Sequence, residues 1–194
     1  MNTVTLNLEP LIELTHDNFY QICQANPEIA FELTAQGELV IVSPVGGEGG
    51  SQEADLISQV WTWNCQTQLG IVFSSSTIFR LPNRAERSPD VAWVRLKRWE
   101  SLTAEEQKAF SPICPDFAIE LRSPSDRLKP LQAKMQEYID NGLRLGWLID
   151  PQNRRVEIYR PEQAVEVLAS PTSLSGENVL PGLVVDVSQI LKAS

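Results

Sequence analysis

Four charged residues in this 194-residue chain stand where a plain hydrophobic core has no use for them. Glu53 shares a helical face with Leu56, Ile57 and Val60, at i, i+3, i+4 and i+7, which centres a carboxylate on an apolar stripe. Asp90 opens SPDVAWVR, where alternation sets Asp90, Ala92 and Val94 against Val91, Trp93 and Arg95. Glu120 lies mid-strand in DFAIELR, with Asp116, Ala118 and Arg122 on its face and Phe117, Ile119 and Leu121 on the other. Glutamate is disfavoured in such strands. Lys134 borders the buried stripe of the next helix, formed by Leu128, Leu131, Met135, Tyr138 and Ile139.

Each residue also has a plainer reading. Glu53 could be an acid favoured by the helix dipole near an N-terminus, with Glu48 in the preceding glycine loop as the weaker alternative. Asp90 follows a proline and could be a turn residue. Glu120 could pair with Arg122, and Lys134 could reach out to solvent along its aliphatic stem. Taken together, they are two or three carboxylates and one lysine drawn from two strands and two helices. Hard oxygen donors without histidine or thiolate suit Mg2+ or Mn2+ and not zinc. A magnesium ion held by few carboxylates keeps waters, one of which can become nucleophilic, and a lysine can orient that water or help deprotonate it. Arginine can balance charge but is a poor proton acceptor. This is the chemistry of phosphodiester hydrolysis.

The elements that must position these groups can be read from the same sequence. LTHDNFYQICQAN forms a first helix with Thr15 or Asp17 near its cap, and FELTAQGELVIVSP forms a hairpin through Gly37. VGGEGG leads to a helix that starts near Ser51 and ends at Gly70. IVFSSSTIFRLPN and SPDVAWVR are strands, and a capping box from Thr103 to Glu106 opens a short helix. Strand 116–122, a helix from about Leu128 to Ile139, and the strands LGWLIDP, VEIYR and VEVLAS follow, with a C-terminal turn, strand and closing helical turn. The order implies an α/β or mixed α+β fold, a central mixed sheet flanked by helices. One domain over 1–194 is expected, with 1–30 as a helical N-terminal extension.

Composition excludes several classes. No apolar run approaches the ~20 residues of a membrane span, and the opening segment has no basic stretch followed by an apolar one, so no secretory leader is expected. Cys23, Cys65 and Cys114 are odd in number and far apart, and fit buried thiols in a reducing cytoplasm. His16 is the only histidine, so serine–histidine and cysteine–histidine mechanisms are set aside. The net charge is −9, yet residues 1–79 hold nine acids and no Lys or Arg, while the rest carries 16 acids and all 16 bases. Six bases, Arg80, Arg84, Arg87, Arg95, Lys97 and Arg98, cluster around Asp90 in the sequence.

SPDVAWV, then CPDFAIELRSPSD, then LQAKMQEYIDNGLRLGWLIDP and VEIYRP resemble the bacterial putative restriction endonuclease family of the PD-(D/E)XK nuclease superfamily. The similarity runs from ELVIVSPVGGEGG to VLPGLVVDVSQIL, and the succession of matched segments is more specific than any one motif. The resemblance places Asp90 at the PD aspartate, Glu120 at the D/E position 30 residues on, and Glu53 at the acid supplied by the first core helix. The sequence departs from the pattern two residues after Glu120, where Arg122 stands in place of lysine. Some superfamily members carry the lysine on the next helix, which makes Lys134 its counterpart. Asp116, in a second PD pair, is the reserve aspartate.

The expectation is therefore a cytoplasmic endonuclease using Mg2+ or Mn2+ and acting on DNA. Asp90, Glu120 and Glu53 would hold the metal and Lys134 would position the water. Arg122 and the 80–98 bases would face phosphates. The rivals are a non-catalytic binding or interaction protein that keeps the fold, with a homodimer as one form, and a hydrolase of RNA or a small phosphate ester.

Overall fold

Alternating apolar residues broken by short turns form the strands, and apolar stripes at helical spacing form helices of comparable total length. The computed structural model describes residues 4–9 and 11–192, so the termini of the expected 1–194 unit lie outside the described residues. β1 (Val4–Leu6) precedes α1 (His16–Ala25), whose cap Thr15 accepts the Asn18 N–H. The expected hairpin is β2 (Ala30–Leu33) and β3 (Leu39–Val42), turning at Gly37 with φ +80°. After α2 (Gly47–Thr67) come β4 (Gly70–Ser74), β5 (Phe79–Arg80), β6 (Glu86–Arg87) and β7 (Val91–Arg95). Two short helices follow, α3 (Leu96–Trp99) and α4 (Ala104–Lys108), the second with the Thr103–Glu106 capping box in place. β8 (Phe117–Leu121), α5 (Leu128–Asp140) and β9 (Leu145–Asp150) form a parallel crossover. β10 (Arg155–Tyr159), β11 (Glu166–Ala169), β12 (Ser173–Ser175) and β13 (Val184–Asp186) complete the chain.

The strands form a six-stranded sheet, β11-β10-β9-β8-β7-β4, a five-stranded sheet, β1-β3-β2-β6-β5, and a β12-β13 pair. The large sheet is antiparallel except between β8 and β9. Its faces follow the period of two. Val91, Trp93, Phe117 and Ile119 pack with Leu56, Val60 and Trp63 of α2, and Ala92, Val94 and Ala118 pack with Met135 and Tyr138 of α5. Gly146 of β9 lets α5 lie close, since a Cβ there would stand 2.4 Å from Met135 Cε. Phe19 of α1 seals Phe31 and Leu33 of the small sheet. Among the described residues no helix is long and apolar enough to cross a membrane.

Three expectations need correction. The N-terminal segment is not helical alone, because β1 pairs with β3 along Val4–Ile41, Thr5–Val40 and Leu6–Leu39. α2 starts at Gly47 and not near Ser51, so the glycine run forms its first turn. Glycine costs about 1 kcal/mol in a helix interior, a penalty that the long apolar face downstream offsets. Cys65 is exposed on α2, while Cys114 is buried and Cys23 half-buried.

Candidate active site

The ends of four elements meet at the C-terminal edge of β8. Glu120, the fourth residue of β8, projects to the α5 side, where Lys134 Nζ lies 2.9 Å from its Oε1. The Tyr138 hydroxyl, one helical turn on, donates to the same oxygen at 3.0 Å. The Glu120 side chain is 5% exposed and Lys134 14%, so this is a buried pair. Asp90 precedes β7, the antiparallel neighbour of β8, and its Oδ2 accepts the Leu121 N–H at 2.6 Å. Asp90 is therefore bonded to the residue after Glu120, and it keeps part of its surface open. Glu53 of α2 is also half-buried, with Ser75 Oγ donating to its Oε1 at 2.5 Å. As the seventh residue of α2, Glu53 is past the first turn, where Glu48 sits exposed. The dipole reading belongs to Glu48.

The plainer reading of Glu120 as a partner of Arg122 does not describe the geometry. Arg122 lies one residue past β8, and its Nη1 donates to both oxygens of Asp150 at 3.1 Å while its Nε donates to the Asp126 carbonyl. The Asp150 side chain has no exposed surface. The guanidinium is thus spent on tying the β8–α5 loop to the end of β9. Asp116 is also occupied. It takes the Arg95 N–H and the Arg98 guanidinium, each at 2.9 Å, at the far end of β8 from Glu120.

The sequence reading missed Glu32. This β2 residue reaches Lys134 Nζ at 2.8 Å, and accepts from Arg87 Nη1 at 3.1 Å and the Ser88 N–H at 2.9 Å. Arg87 Nε in turn donates to Glu137 of α5 at 2.6 Å. Lys134 is held between two carboxylates, one from each sheet. The signal was available, because Glu32 is an acid inside the apolar run AFEL, the same anomaly that marks Glu120.

The electrostatics follow from this packing. Burial works against the charge of Lys134, but Glu120 and Glu32 outweigh it and hold its pKa above the ordinary lysine value. It is an ammonium at neutral pH. Burial also opposes the charge of Glu32, yet Lys134 and Arg87 hold its carboxyl below the usual range. For Glu120, burial and the neighbouring Glu32 prevail over Lys134, and its pKa is raised. Asp90 is raised well above the usual value, by burial first and then by Glu120 and, more weakly, Glu53.

The family model of Uma2, described as putative restriction endonuclease, matches residues 16–188. The chain belongs to the Uma2 family. No curated protein matches it. Among solved structures, it is similar to a crystal structure described as a putative nuclease belonging to DUF820 from Anabaena variabilis. The TM-score is 0.77 at 20% identity, over 92% of this chain and 97% of that one. This likeness bears on the fold, which is shared along nearly the whole length of both chains.

In this Uma2 chain, Asp90, Glu53, Glu120 and Glu32 gather around Lys134 and Arg87, and hard oxygen donors of this kind suit a divalent ion. Among the described residues no group of three acids, histidines or cysteines forms a ready metal cage. The donors fit a hydrated magnesium bound through one or two carboxylates, the usual mode for that ion, and do not fit zinc. Asp90 and Glu120 are the residues that would hold it, with Glu53 at the open side.

The six clustered bases do not form one patch. Arg87 is paired inside the site, and Arg80 and Arg84 line a cavity beside α1. Arg95, Lys97 and Arg98 follow the opposite end of β7, roughly 16 Å away at ~3.3 Å per strand residue.

Proposed function

We propose that this chain is a Mg2+- or Mn2+-dependent endonuclease that hydrolyses phosphodiester bonds in DNA. The observation that carries the reading is the meeting of Lys134 with Glu120 at 2.9 Å beside Asp90, itself bonded to the Leu121 N–H. An acid–acid–lysine constellation is thereby assembled although the lysine comes from α5 and not from β8. Membership in a family whose description reads putative restriction endonuclease supports the same reading.

When bound, the metal would supply a Lewis acid and a water made nucleophilic near neutral pH. The protein side of the chemistry falls to named residues. Asp90 and Glu120 bind, and Glu53, hydrogen-bonded by Ser75, contributes from α2. Lys134 acts as an ammonium: it orients the attacking water and faces the charge that develops on the phosphoryl oxygens. A lysine clamped by two carboxylates is not the general base. Arg122 acts as a positioning residue, fixing the loop that leads into α5 through Asp150.

One observation favours the non-catalytic alternative, namely that among the described residues the acids form no ready cage. Cleavage of linear DNA and of matched RNA, with Mg2+, with Mn2+ and with chelator, decides between the readings. Metal-dependent cutting of DNA supports the proposal, and preference for RNA replaces its substrate. No cutting, together with no metal binding by calorimetry, leaves a nuclease-fold binding protein.

A further inference from the structure

A cavity of about 500 Å3 opens between the start of α1 and the β5–β6 turn, and the nuclease reading makes no use of it. Thr15 and His16 line one side, Arg80 and Arg84 the other, and Leu33 and Leu81 form apolar wall. It lies across the small sheet from Lys134. In β6, Glu86 points to α1 and meets His16, while the next residue, Arg87, points to Glu32.

We propose that this cavity is a phosphate-binding site. Arg80 and Arg84 make no ion pair among the described residues, unlike Arg87, which is spent on Glu32 and Glu137. Two guanidiniums in one concavity, Arg80 also within electrostatic reach of Glu86 across the β5–β6 ladder, present the forked N–H groups that match phosphate oxygens. His16 is set for the same ligand. Its Nδ1 lies 2.5 Å from Oε1 of Glu86, a side chain with no exposed surface, and that contact fixes the ring. With Nδ1–H given to Glu86, Nε2 is left to accept a hydrogen bond from the O–H of a hydrogen phosphate. Glu13 is the one acid among the lining residues, against two arginines, and the buried Glu86 behind His16 is the other nearby carboxylate. The apolar walls lower the local dielectric and strengthen each charged contact. The ligand class is a phosphate group, carried by a small nucleotide or by the end of a nucleic-acid strand.

The test uses the intact chain and is independent of cleavage. His16 is the only histidine, so its ring protons give one isolated pair of NMR signals. Titrating inorganic phosphate at constant ionic strength is expected to move these signals saturably. Losing a charged hydrogen bond weakens binding by about tenfold or more, so Arg80→Gln/Arg84→Asn should lose at least that factor. Lys97→Gln, exposed at the other end of β7, should keep the wild-type affinity. If the double variant does not fold, Arg84→Asn alone serves, since asparagine accepts the positive φ of 73° at that turn. A 5′-mononucleotide, a 5′-phosphorylated oligonucleotide and its 5′-hydroxyl counterpart identify the source. Tighter binding of the phosphorylated strand alone names a strand end, and equal binding of nucleotide and phosphate names a free ligand. Either ranking supports the site. No saturable shift, or the same affinity in wild type and arginine variant, overturns it.

Discussion

Replacing Lys134 by methionine keeps the aliphatic stem and removes the charge that joins the two sheets. Glu32 and Glu120 lie 2.8 and 2.9 Å from Nζ, and each is only 5% exposed. Removing one partner of a buried pair costs about 3–5 kcal/mol, because the remaining charge is left uncompensated. Arg87 still serves Glu32 and Tyr138 still serves Glu120, which places the loss at the lower end of that range. For a chain of this size each kcal/mol lowers Tm by ~2–4 °C, so a fall of roughly 6–12 °C is expected. Thermal unfolding followed by circular dichroism measures it. A double-mutant cycle with Glu32→Gln should then show coupling, since Glu32→Gln removes one of the stranded carboxylates and the double variant recovers ~0.5–3 kcal/mol. A Lys134→Met protein that melts within about 2 °C of wild type, or a strictly additive double variant, would refute the buried clamp.

Three further outcomes follow from the same geometry. Tyr138→Phe removes the 3.0 Å hydrogen bond to Glu120 and should cost ~1–3 kcal/mol in urea unfolding, since the acceptor is buried. Burial raises the Glu86 pKa above its ordinary value of 4.5, against the pull of His16. As pH rises from that ordinary value, the unfolded chain releases its proton first, so stability falls until the raised folded pKa is passed. Urea midpoints across that window should be flatter in Glu86→Gln than in wild type. Burial also pushes the Cys114 thiol up to about 12, whereas Cys65 is exposed. An aromatic disulfide reagent at pH 8 should therefore titrate Cys65 promptly and reach Cys114 only after denaturation.

The parts of the site visible in the sequence were those with a local signal. Glu120 breaks the apolar run of β8 and Lys134 borders the stripe of α5, and the β8–α5–β9 crossover brings the two together without help from distant segments. Asp90, at the head of β7, reads as a turn residue by position alone and is singled out through the resemblance of SPDVAWV to the PD motif. What escaped depended on chain returning from far away. Glu32 stands out locally as an acid in AFEL, but its meeting with Lys134 follows from β2 pairing with β6 through Leu33 and Glu86, which no local pattern encodes. Strand length misled in two places. β8 ends at Leu121, so the alternation that grouped Arg122 with Glu120 stops one residue early and Arg122 turns to Asp150. The five residues of β7 separate bases that are neighbours in sequence, which divides the 80–98 cluster between the site, the cavity and the far edge of the sheet.

The central claim is that Asp90, Glu120 and Lys134 act as one metal-dependent hydrolytic centre, and nicking of supercoiled plasmid under single-turnover conditions tests it most directly. Wild type should nick in Mg2+ or Mn2+ and stop in chelator. Glu120→Gln and Lys134→Met, each first shown to be folded at the assay temperature, should lose at least about a hundredfold in rate, the lower bound for removing a group that stabilises developing charge. Folded variants that nick as fast as wild type would contradict the account.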